Sequence, residues 1–180
     1  MNKKEINQWI EYERNLIYGN LDLKGRLKYA VTENHLIDIA KYQKYLRLEY
    51  YYRKRSGIYK IAEMWYCRKK NKLGNRLGFY MDCEVFDKGL LIYHHGSIIV
   101  NGFARVGRDC KLHGNNCIGN NGTSLKAPRI GNNVDIGFGA IIIGDVTLAD
   151  NITVGAGAVV VNSFTEKGIT IGGVPAKKIK

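Results

Sequence analysis

The C-terminal part of the chain keeps a six-residue rhythm, and few folds tolerate one. From Val100 an aliphatic residue returns at every sixth position: Val106, Leu112, Ile118 and, after one missed beat, Ile130, Ile136, Ile142, Leu148, Val154 and Val160. The missed beat spans two steps of six, so all ten positions share one register. A small residue commonly follows the beat, as at Gly107, Gly119, Gly131, Gly137, Ala149 and Gly155. Four residues after the beat comes a second small or apolar one: Ala104, Cys110, Val134, Ala140, Val146, Ile152 and Ala158. An α-helix of period 3.6 would carry this repeat round to every face, and a simple strand alternates by two. A six-residue unit instead predicts one short strand per unit and three units per triangular coil, a β-helix. The beat then points inward and stacks on its equivalent one coil away. The small residues fit the tight corners.

Before residue 80 the composition changes. Residues 1–80 hold 18 Lys and Arg against 8 Asp and Glu, and residues 81–180 hold 10 against 8. Most of the net charge of +12 therefore belongs to the first part. We divide the chain into a basic N-terminal region, 1–80, and a repeat domain, 81–180. The stretch DIAKYQKYLRLEYYYRKRSGIYKIAEMWYCRKKNKLGNRL has no proline, and its apolar residues recur at three- and four-residue steps. That predicts two or more helices. A surface rich in Tyr, Lys and Arg suits an anionic glycan or membrane headgroups, an expectation of peripheral membrane association. It equally suits helices that cap the coil or pack subunits, with solvated basic faces. No nucleic-acid-binding motif is present, and no nucleic acid is expected as partner. No apolar run reaches the roughly 18–20 residues that span a bilayer. The opening MNKKEINQWIEYERNL has no signal-peptide core. The cysteines, Cys67, Cys83, Cys110 and Cys117, form no CxxC and no framework, which predicts reduced thiols in a cytoplasmic protein.

Chemistry is suggested first by GLLIYHHGSIIVNG, residues 89–102, with its adjacent His94 and His95. With 18 residues per coil, His113 falls one coil after His95, which predicts a stacked outward pair roughly 4.8 Å apart in the backbone. Stepping back six from Val100 lands on His94, an inward position that the open first coil could present to a cleft. On the residues alone His94 is either a base in that cleft or a polar cap at the mouth of the coil. His95 and His113 are either substrate contacts or corner residues.

The pattern [LIV]-[GAED]-x-x-[STAV]-x resembles the hexapeptide-repeat acyltransferases. GLLIYHHGSIIVN, DCKLHGNNCIGNNG, PRIGNNVDIGFGAIIIGD and the terminal GGVPAKKIK resemble the serine acetyltransferase family, above all its shorter relatives from capsule and exopolysaccharide clusters. The resemblance covers about residues 80–180. It implies a mainly β fold, a left-handed parallel β-helix preceded by an α-helical N-terminal region. It also implies acetyl-CoA as donor, no metal, and a homotrimer or hexamer with the site between subunits. His94 aligns with the family's general base, an imidazole that takes the acceptor's hydroxyl proton near neutral pH. A backbone N–H would steady the developing oxyanion. The family's partner carboxylate position is Phe79 here; Asp82 and Asp87 are the nearby carboxylates, and Asp82 is either the substitute partner or a solvated turn residue. For the coenzyme, the resemblance nominates Phe138, Gly139 and Ala156 along the pantetheine arm. It nominates Lys177, Lys178 and Lys180 for the phosphates, which lysine meets as a point charge. NNGTSLKAPR, residues 120–129, resembles a loop that reaches toward the site with Ser124 and Lys126.

The acceptor positions depart from the serine enzymes. The family's Asp before the base is Tyr93 here, and its Arg-His pair in the loop is Lys126-Ala127. A free amino acid needs both charged ends matched, because a buried unpaired charge is costly. Tyr93 and the amides of Asn115, Asn116, Asn120 and Asn121 suit a sugar ring instead. The expectation is an acetyl-CoA-dependent O-acetyltransferase acting on a carbohydrate hydroxyl in surface polysaccharide biosynthesis, with Tyr93, His95, His113 and Lys126 on the acceptor. The alternatives are a serine O-acetyltransferase, an N-acetyltransferase on an amino sugar, a metal-dependent hydratase and a non-catalytic scaffold. The hydratase needs three convergent histidines, two of them close in sequence on one coil, and the spacings of 1 and 18 here do not supply them.

Overall fold

A computed structural model describes every residue of the chain except Asn20. Two compact units are present, Met1–Leu77 and Gly78–Lys180.

The first unit holds four helices, α1 (Lys3–Tyr18), α2 (Leu23–Val31), α3 (His35–Arg53) and α4 (Tyr59–Leu77). Helix α1 starts where Asn2 and Glu5 exchange caps: the Glu5 N–H donates to Asn2 Oδ1 at 2.9 Å and the Asn2 N–H to Glu5 Oε2 at 2.8 Å. Helix α3 lies between α1 and α4 and buries Ile39, Tyr42, Leu46 and Tyr51. It also buries two charges, each matched by another helix. Arg47 Nη2 lies 2.6 Å from Glu13 Oε1, and Glu49 Oε2 lies 2.8 Å from Lys70 Nζ. Helix α2 buries no residue and leaves Leu23, Leu27 and Val31 exposed. Among the described residues no helix is long and apolar enough to cross a membrane.

In the second unit the chain visits three sheets in turn. Sheet A stacks β1 (Phe79–Tyr80), β3 (Ile98–Val100), β6 (Cys117–Gly119), β9 (Ile141–Ile143) and β12 (Val159–Val160). Sheet B stacks β4 (Arg105–Val106), β7 (Arg129–Ile130) and β10 (Thr147–Leu148), prolonged by single bridges at Phe86 and Phe164. Sheet C stacks β2 (Leu91–Ile92), β5 (Lys111–Leu112), β8 (Asp135–Ile136), β11 (Thr153–Val154) and β13 (Thr170–Gly172). All these neighbours pair parallel, and β14 (Lys177–Lys178) turns back antiparallel on β13. The ten aliphatic beats lie inside, none more than 4% exposed. Burying each side chain of this size contributes roughly 1.5–3 kcal/mol. One internal column runs Ile92, Leu112, Ile136, Val154, Ile171 in strict register.

That register corrects the expectation at the first coil. Ile92 pairs with Leu112, twenty residues on, because the first coil carries two residues more than three hexapeptides. The inward beat is therefore Ile92, fully buried, and His94 is an exposed corner residue. His95 does not stack on His113; the residue beside His113 is Tyr93, with ring centroids 4.5 Å apart.

The outer faces differ in kind. On sheet A the outward residues Tyr80, Ile99, Cys117, Ile141 and Val159 stand in register as one apolar column. On sheet B the equivalents are Arg105, Arg129 and Thr147, and on sheet C they include Lys111, Asp135 and Thr153.

Candidate active site at one corner of the coil

Each C strand is followed by a corner that leads to the next A strand. Counting from the aligned beats Ile92, Leu112, Ile136 and Val154, the second residue of that corner is His94, Gly114, Phe138 and Ala156 in successive coils. The first residue is Tyr93, His113, Gly137 and Gly155, and the third is His95, Asn115, Gly139 and Gly157. One line of corners, after the C strands, thus gathers most of the residues singled out in the sequence.

Gly114 sits between the nominated groups. Its φ is +113°, in the region that favours glycine. A Cβ there would stand 3.5 Å from the Cβ of His94 and 3.4 Å from the Phe138 ring. His94 and Phe138 therefore flank a strip of bare backbone. The strip continues through Gly139 and Gly157, where an added Cβ would meet open space or ordinary contact. Part of this backbone is already engaged. The Gly139 N–H donates to the Gly114 carbonyl at 2.9 Å, and the Phe138 carbonyl accepts from the Gly157 N–H at 2.8 Å. These two groups serve the coil, so the Gly139 N–H is not a donor for a ligand. Asn116, buried at the same corner, donates from Nδ2 to the Gly137 carbonyl at 2.8 Å and ties two coils together.

Beside His94, on the outer face of sheet C, His113 Nε2 lies 2.8 Å from Asp135 Oδ1. Lys111 Nζ lies 3.8 Å from Asp135 Oδ2. Tyr93 rests on the His113 ring at 37°. No feature of the repeat pattern singles out Asp135. Its role emerges only when the 24-residue step from Lys111 is seen to bring it alongside.

Three nominated residues fall elsewhere or are partly occupied. Asp82 lies just after β1, at the far end of the A strands; its Oδ1 accepts the Glu84 N–H at 2.8 Å, and Gly102 is its neighbour in the next coil. His94 precedes β3, at the opposite end of the parallel A strands. Lys126 leaves that same far corner in the 120–128 loop and bonds Asp145 at 2.7 Å, which pushes its ammonium above the ordinary lysine value. Lys178 is held by both oxygens of Glu166, at 2.6 and 2.7 Å. Lys177 and Lys180 stay exposed on an ordered end, where Thr170 exchanges backbone hydrogen bonds with Ile179 and Lys180.

Helices followed by three stacked parallel sheets form the fold of the serine acetyltransferases. The chain superposes on the serine acetyltransferase of Neisseria gonorrhoeae with a TM-score of 0.71 at 24% identity, over 99% of this chain and 68% of that one. It superposes on the soybean serine acetyltransferase complexed with serine with a TM-score of 0.74 at 18% identity, over 98% and 70%. The enzyme of Brucella abortus strain S19 in complex with coenzyme A gives 0.74 at 20%, over 98% and 68%. At these identities the likeness establishes the fold. No protein-family model and no curated protein sequence matches the chain.

Proposed function

We propose that this chain is an acetyl-CoA-dependent O-acetyltransferase with His94 as its general base, on a left-handed β-helix. The observation that carries the reading is the exposed imidazole of His94 beside a glycine-floored strip that Phe138 borders. Acetyl-CoA supplies the activated acetyl group. The strip, narrow and free of side chains, suits an extended pantetheine-like arm, with Phe138 and Ala156 along it. Lys177, paired with Gly172 at the end of β13, and Lys180 are the cations assigned to the phosphates, and Lys178 is paired with Glu166. His94 takes the proton of the acceptor hydroxyl as its oxygen bonds to the acetyl carbon. The carbon–sulfur bond breaks, and the imidazolium returns the proton to the departing thiolate.

The site is completed by assembly on this reading. Asp82 and Lys126 occupy a different corner from His94, so they reach an acceptor only from a neighbouring subunit. The apolar column Tyr80, Ile99, Cys117, Ile141 and Val159 supports a homotrimer closed through sheet A, since large exposed apolar patches mark contact surfaces. The basic helical unit with its exposed Leu23, Leu27 and Val31 supports peripheral attachment at an anionic membrane or packing of two trimers. Four free cysteines support a cytoplasmic setting.

L-serine is the acceptor that the neighbours favour, because nearly the whole chain superposes on serine acetyltransferases, one of them holding serine. A second reading, a sugar hydroxyl in surface polysaccharide biosynthesis, is favoured by Tyr93 at the position before the base and by Lys126 being bound to Asp145. The test is release of free thiol from acetyl-CoA with L-serine and with a panel of sugars. His94→Ala is expected to lower turnover by about 10²–10⁴-fold with every acceptor. Unchanged turnover in that variant would refute the base.

A further inference from the structure

We infer that Tyr93, His113 and Asp135 form a wall that receives the ring of a sugar acceptor, and that Asp135 is its positioning residue, acting through His113. The inference rests on the O-acetyltransferase reading and selects its carbohydrate branch.

Three observations support it. First, the wall adjoins the base. Tyr93 is the residue before His94, and His113 directly precedes Gly114, which touches the His94 position. Second, the wall is built across three coils: Tyr93 from the first, His113 from the second, Asp135 from the third. The carboxylate fixes the imidazole, and the imidazole supports the phenol ring, which leaves Tyr93 about a third exposed on the side facing solvent. A histidine held in this way presents one ring orientation to a ligand, and preorganisation of that kind is what positions substrates. Third, the Asp135 carboxylate is already engaged by the His113 ring at 2.8 Å and lies 3.8 Å from the Lys111 ammonium. The wall offers no uncommitted carboxylate for the ammonium of an amino acid. It offers an aromatic face and an imidazole edge, which suit the apolar face and hydroxyls of a pyranose.

The first measurement needs no turnover. Saturation-transfer NMR without acetyl-CoA compares methyl pyranosides and L-serine binding to the full wild-type chain, to Asp135→Asn and to Asp135→Glu. All three residues are on the outer surface, so the substitutions leave the buried columns intact. At least one pyranoside is expected to saturate with the wild type. Asp135→Asn is expected to weaken it about tenfold and to raise the acceptor KM by that factor, with kcat and the acetyl-CoA KM changed less than about twofold. Asp135→Glu, which keeps the charge, is expected to recover part of the loss. Binding of L-serine and of no pyranoside would overturn the wall and leave the transferase reading standing. So would an Asp135→Asn variant that binds like the wild type, or one whose loss falls on kcat alone. A wild type that binds a pyranoside but transfers no acetyl group to any acceptor would keep the wall and sink the transferase reading.

Discussion

The helical unit and the coil hold together in opposite ways. In the coil, the internal strand positions stack in register, and aliphatic columns such as Ile92, Leu112, Ile136, Val154 and Ile171 hold it without a buried charge among them. In the helical unit, no position repeats, and two buried ion pairs, Arg47 with Glu13 and Lys70 with Glu49, join α3 to its neighbours. The comparison teaches that repetition tolerates a local loss, whereas matched buried charges fail as pairs.

The sharpest test is Arg47→Ala. It leaves Glu13 buried without its guanidinium and is expected to cost about 3–5 kcal/mol, read by urea unfolding followed through helical circular dichroism. A paired Arg47→Met, Glu13→Leu change is expected to recover most of that loss, because removing both charges removes the desolvation problem. Leu112→Ala opens a cavity in the middle of the column and is expected to cost about 3 kcal/mol in the same measurement. A cost well above that of Arg47→Ala would reverse the comparison. Ile99→Asp, on the outer face of sheet A, is expected to leave the spectrum intact and reduce the mass in light scattering from three chains to one. An unchanged mass would remove the support for sheet A as the subunit contact. Lys126→Ala breaks a contact whose side chains are 71% and 59% exposed, and no measurable change in melting temperature is expected.

The repeat was readable because its period is short and its inward residues have few alternatives. All ten beats from Val100 to Val160, and the small residues four positions on, are buried as the rhythm requires. The rhythm breaks where the coil begins. Two additional residues before β3 shift His94 from an inward slot to a corner, and a period counted back from Val100 cannot register them. The corner site was partly legible: His94, Phe138 and Ala156 turn out to hold the same place in different coils, although the resemblance nominated them one by one. Asp135 was hidden because its partner is 22 residues away, across an inserted loop that lengthens this coil from 18 residues to 24. Helix α2 escaped for a different reason: with no buried face it carries no burial signal, and only its cap at Asp22 marks its start.

The reversed strand β14 has a further consequence. Parallel coils can in principle be extended without limit, since each new strand sees the same ladder as the last. By folding back on β13, β14 occupies the ladder's last row with the opposite polarity. A parallel strand that arrives at that edge of sheet C finds the row taken. Strand β14 therefore covers one exposed strand edge of the coil, in sheet C, the kind of protection that such edges generally need.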